Sequence, residues 1–128
     1  MNGALVALCL GNFAVGTATM VVPGMLPALA DGLAVGIPDA GRLIAVFALT
    51  IAVFGPGLAS AVSTVDRRML LAGTLLLLFA SLAASAFASD YRMLLATRVV
   101  SAVCAGLFTS QAAGAAALLV EPMRRGSA

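Results

Sequence analysis

Four long apolar runs, separated by three short polar connectors, set the pattern of this chain. Met1 to Ala30, Leu43 to Val65 and Met69 to Ser89 carry no charged side chain. The last run, Met93 to Val120, carries one, Arg98. A helix that crosses a hydrocarbon core of roughly 30 Å needs about 20 apolar residues, and each run is long enough. The pattern therefore predicts four transmembrane helices, over about residues 4–29, 42–62, 69–88 and 93–120. Together they form one partial helical bundle over residues 1–128 of an all-α, multi-pass membrane protein.

The first run is too long for a signal-peptide core, lacks a basic flank and precedes further spans, so it reads as a retained helix. Pro23 and Pro27 fall in its last turns. Each removes a backbone donor there, so the span is expected to stop early or kink. Gly55-Pro56-Gly57 should kink or weaken the second span in the same way. Asp31 to Gly41 is a polar connector with two aspartates, Pro38 and three glycines. Thr64-Val65-Asp66-Arg67-Arg68 forms the hinge between the second and third spans. Ser89-Asp90-Tyr91-Arg92 is a tight hairpin whose tyrosine suits an interfacial anchor.

Composition narrows the class further. The chain is 62% hydrophobic and 9% charged, whereas a soluble domain carries about a quarter charged residues. All seven basic residues are arginines, and histidine is absent. That removes the usual metal ligand and general base, and a buried serine without a histidine has no activator. No enzyme, metal site or cofactor is expected. Cys9 and Cys104 lie in apolar runs without CxxC spacing and read as small packing residues. The arginines are spread among short loops, which excludes a nucleic-acid patch. Arg67, Arg68, Arg124 and Arg125 fall in the second connector and the tail, against Arg42 and Arg92 in the other two. This bias puts the N-terminus, the second connector and the tail in the cytoplasm.

Polar residues within the spans are the functional candidates. Asn12 and Thr19, seven apart, share one helix face, which should turn toward other helices or a cavity. Ser81 and Ser85 lie one turn apart on the third span. Arg98 comes seven residues after Tyr91, so it sits roughly 10 Å into the fourth span. Burying it costs at least about 2.5 kcal/mol on the most forgiving scales. It reads either as a substrate or ion pathway residue or as an arginine that snorkels to the outer interface. Ala102, Gly106, Ser110 and Gly114 recur every fourth position, with Ala105, Thr109, Ala113 and Ala117 beside them. Such columns let helix backbones approach closely. Gln111 needs an internal partner.

Several stretches resemble the N-terminal third of a major facilitator superfamily transporter, specifically its drug/proton antiporter branch of chloramphenicol-resistance and sugar-efflux exporters. Gly16-Thr17 and Gly24-Met25-Leu26-Pro27-Ala28-Leu29-Ala30 resemble that branch's first helix and its exit. Ala40-Gly41 with Phe47-Ala48-Leu49 resembles the start of its second helix. Arg67-Arg68-Met69-Leu70-Leu71 resembles the end of its signature cytoplasmic loop. Tyr91-Arg92-Met93-Leu94-Leu95-Ala96-Thr97-Arg98-Val99 resembles the start of helix four, where members carry an intramembrane arginine. Pro122 with Arg125-Gly126-Ser127-Ala128 resembles the next cytoplasmic loop.

The resemblance implies the first four helices of a twelve-helix transporter in the plasma (inner) membrane. It implies multidrug efflux, and hence antibiotic resistance, by proton-coupled antiport of small, largely apolar molecules. The partners would be the bilayer, the substrate, protons and the remaining helices. Arg98, Asn12, Thr19 and Gln111 would line the pathway, and Asp66, Arg67 and Arg68 would form a cytoplasmic gate. This chain also departs from the family's pattern. The signature loop's glycine and aspartate correspond to Ala59 and Ser63, and the first helix's acidic residue corresponds to Thr19. Four helices supply one three-helix repeat and the start of the next, so a fragment or a truncated product is expected. The alternatives are a self-sufficient four-helix dimeric multidrug transporter, although such proteins use a buried glutamate that is missing here, and a non-transporting membrane subunit.

Overall fold

A computed structural model describes residues 3–125, and side-chain surroundings for residues 3–120. It contains five helices: α1 (Gly3–Gly24), α2 (Leu26–Gly32), α3 (Ile37–Ala61), α4 (Arg67–Ala86) and α5 (Tyr91–Arg125). The described part of the chain is all-helical, and α1, α3, α4 and α5 are long and apolar enough to cross a membrane.

The prolines act where the sequence suggests. The first run does not form one span to residue 29 but breaks at Met25, whose φ of −107° and ψ of 12° leave the helical path. Pro23 lies in the last turn of α1 and Pro27 at the start of α2. Pro27 has no N–H to offer the Pro23 carbonyl, so the ladder lapses there. The α2 C-terminus closes with the Val35 amide donating to the Ala30 carbonyl at 3.1 Å, and the Ala34 amide to Asp31 at 3.3 Å. This is the Schellman pattern, and it puts Ala34 in the left-handed region at φ 52°. Pro56 behaves differently. Although flanked by two glycines, it lies inside α3, which continues to Ala61. Asp66 caps α4, its Oδ1 accepting from the Arg68 amide at 3.1 Å.

Each helix buries one stripe. Gly11, Val15 and Val22 are buried on α1, and Ala40, Leu43, Phe47 and Thr50 on α3. Thr74, Leu78 and Ser81 are buried on α4. Spacings of three, four and seven place each set on a single helical face. α5 is the central element, flanked by α3 on one side and α4 on the other, with α1 more lightly packed. One core cluster joins Val15, Phe47 and Leu78 to Ala102, Cys104, Ala105, Phe108 and Ala112 of α5. A second, toward the other end, joins Val22, Leu43 and Leu94. Outward faces are apolar too: Phe13, Leu76, Phe79 and Phe87 are each more than 70% exposed. In water such surface would be a liability, whereas in lipid it is ordinary.

Candidate functional site

The buried stripe of α5 runs Leu94, Arg98, Ser101, Ala105, Phe108, Ala112. Steps of three and four residues carry it down one face, and this periodicity turns the arginine inward. Arg98 is 3% exposed. Its guanidinium carbon lies 4.5 Å from the centroid of the Phe47 ring on α3, a cation–π contact. Phe47 lies ten residues along α3, roughly 15 Å from the helix start. The charge therefore stays inside the bundle and does not reach out to an interface. Arg98 Nε is buried without a hydrogen-bond partner. Among the described residues the ion pair recorded is Arg42 with Asp39 at 3.0 Å, on the surface and far along the chain from Arg98.

Around this charge the walls are closely packed. Val15 and Thr19 of α1, Leu82 of α4 and Ser101 of α5 border the interstice beside Arg98, which has no room for a water molecule. Thr19 donates its hydroxyl to its own helix, to the Val15 carbonyl at 2.8 Å. On the α4 side, Ser81 Oγ lies 2.9 Å from Ser101 Oγ and 2.8 Å from the Thr97 carbonyl oxygen. Ser101 also reaches that carbonyl at 2.6 Å. Each hydroxyl has one proton, so two donors share three contacts, and the cluster ties α4 to α5 one turn below the arginine.

Open clefts lie on the α1 side. One of about 720 Å³ is bordered by Asn12, Thr19 and Thr109. Another of about 480 Å³, between α1, α3 and α5, is bordered by Thr19, Pro56, Gly106, Thr109 and Ser110. Asn12 is exposed and Thr19 half-buried, and the structure brings these two together on one concave surface. Gln111 is half-buried and borders neither cleft.

At the opposite end, Arg67 and Arg68 border an apolar groove of about 480 Å³ with Leu8, Leu71 and Leu119. All three charges of the hinge are exposed, and Asp66 is engaged as the α4 cap. Of the small-residue column, Ala102 is fully buried and Gly106 faces Ile51, where a methyl would sit at 3.8 Å. Ser110 is exposed to the cleft, and a methyl on Gly114 would lie 3.9 Å from Arg67 Nη2. Glu121 and the tail arginines lie outside the residues whose side chains are described.

Sequence reasoning missed Phe47, Ser101 and Tyr91's partner. Tyr91 donates to the Asp39 carbonyl at 2.7 Å, tying α5 to the start of α3. The sequence carried only a partial signal for Phe47: residues 43–65, 69–89 and 93–120 hold no carboxylate, so a buried arginine there turns to aromatic faces, hydroxyls or backbone carbonyls, without any sign of which.

Residues 8–128 match the Major Facilitator Superfamily. Relatives include YtbD of Bacillus subtilis, an uncharacterized MFS-type transporter, 36% identical over 98% of this chain and 32% of its own length. The inner membrane transport protein YdhP of Escherichia coli K12 is 32% identical over 100% of this chain and 33% of its own. A chloramphenicol resistance protein of Streptomyces lividans is 34% identical over 96% of this chain and 30% of its own. The chain thus spans about a third of the length of the curated relatives it matches. No solved structure matches it.

Proposed function

The chain belongs to the major facilitator superfamily, and on that premise we propose that it forms the first four helices of a twelve-helix drug exporter. The transporter exchanges small, largely apolar molecules for protons by alternating access in the plasma membrane. The N-terminus and the α3–α4 hinge face the cytoplasm, as the arginine bias favours. The observation that carries this reading is Arg98, a charge buried on α5 with no acidic partner among the described residues. A charge kept inside a membrane bundle at such cost marks a substrate or ion route. The likeness to a chloramphenicol resistance protein supports the drug class.

Asn12 and Thr19 supply polar groups to the cleft beside α5, which helices beyond this chain would close. Gln111, half-buried on α5, is a further polar group of the pathway. Arg67 and Arg68 act at the cytoplasmic gate, with Asp66 holding the start of α4. Ala102, Gly106, Ser110 and Gly114 let neighbouring helices approach α5. The test is chloramphenicol efflux from cells carrying the transporter with Arg98→Ala. We expect loss of efflux at normal membrane abundance, and unchanged efflux would remove Arg98 from the mechanism.

A further inference from the structure

We propose that Phe47 is the positioning residue for Arg98, its ring face standing where a counter-ion would otherwise be needed. This rests on the reading of Arg98 as a pathway charge. Three observations carry it. Arg98 is 3% exposed and Phe47 6%, so both lie where solvent cannot screen the charge. The guanidinium carbon sits 4.5 Å from the ring centroid, while Arg98 Nε has no hydrogen-bond partner. Among the long helices' residues with described side chains the one carboxylate is Asp39, in the first turn of α3, and it is paired with Arg42 at 3.0 Å. An aromatic face attracts a cation through its quadrupole, most strongly when the pair is desolvated.

The choice of a ring over an acid has a chemical consequence. A carboxylate would neutralise the arginine and occupy its N–H donors through bidentate hydrogen bonds. A ring face attracts the charge without consuming an N–H donor, and Arg98 Nε is indeed left without a partner. Arg98 therefore stays oriented, charged and available to an anionic or carbonyl oxygen once α1 moves away from the interstice. Packing alone would make Phe47 replaceable by any apolar side chain of similar volume. A positioning role makes the electron density of the ring face matter.

Fluorine substitution separates these roles, because it withdraws charge from the ring face with little change of shape. Phenylalanine with one, two and three ring fluorines would be placed at position 47 of the transporter, with and without Arg98→Ala. We expect chloramphenicol efflux to fall stepwise, by about tenfold at three fluorines, as loss of a desolvated cation–π contact implies. The midpoint of thermal unfolding in detergent should fall in the same order. In the Arg98→Ala background the midpoints should be level across the series. Phe47→Trp should retain efflux and Phe47→Leu should lose it. A level series with Arg98 present, while Arg98→Ala abolishes efflux, overturns the positioning role and leaves the pathway reading intact. Efflux indifferent to Arg98→Ala, with unfolding midpoints that still follow the fluorines, overturns the pathway reading and reduces Phe47 to a structural contact.

Discussion

Phe108 of α5 lays the tip of its ring against the bare backbone of Gly11 on α1. Both residues are buried, and a methyl group built on Gly11 would run into the ring. This contact fixes how closely α1 can approach α5. Gly11→Ala should destabilise the bundle by about 1–3 kcal/mol, the usual cost of overpacking. Thermal unfolding in detergent measures it. Adding Phe108→Leu should recover part of the loss, and absence of any recovery would show that the ring is not the obstacle.

The serine pair makes a second, different prediction. Ser81→Ala removes the one hydroxyl on α4 that reaches α5 and should cost about 0.6–1.7 kcal/mol, the range of interhelical hydrogen bonds in membranes. Ser101→Ala also leaves the Ser81 proton a partner at the Thr97 carbonyl. Its cost should be smaller, and the double variant should cost less than the sum. Strict additivity in a double-mutant cycle would mean the two hydroxyls act separately.

Ala34 is held at φ 52° by the C-terminal closure of α2. An L side chain there costs roughly 1 kcal/mol relative to glycine, which adopts this conformation freely. Ala34→Gly should therefore raise stability by about that amount less the entropy glycine adds to the unfolded chain. A lowered unfolding midpoint would contradict the backbone assignment.

Asp66 serves α4 before it serves any gate. Asp66→Ala should loosen the first turn of the helix, seen as faster exchange of the Arg68 amide that Asp66 accepts from, whereas Asp66→Asn should preserve the cap. If Asp66→Asn nevertheless impairs efflux while exchange is normal, the carboxylate's charge contributes to gating in addition to capping.

The spans were legible because long runs without charge leave few options except a membrane. Arg98 was legible for the same reason, as the single charge in such a run. Its surroundings were not. Phe47 is one of six phenylalanines, and nothing in an apolar run distinguishes a ring that meets a cation from one that meets lipid. Ser101 sits among the small residues of α5, and only the rotation of α4 against α5 reveals that it meets Ser81. The split at Met25 was half legible. Two prolines announced a weak point, but the position and phase of α2 depend on how Leu29 and Leu33 pack against the cluster of Val22, Leu43 and Leu94. Pro56 carried the same local signal, and there α3 runs on to Ala61.

α3 and α4 lie on opposite flanks of α5 with no substantial contact between them. A displacement of one reaches the other through α5 or across the core that Val15 of α1 shares with Phe47 and Leu78. At one level of the bundle the relay is very short. Phe47 grips α5 at Arg98 from the α3 side, and Ser81 grips it at Ser101, three residues on, from the α4 side. A shift of α5 toward either neighbour would tighten one grip and slacken the other, whereas rotation about its own axis would loosen both. The buried charge of α5 thus sits at the level where the helix is held from both sides.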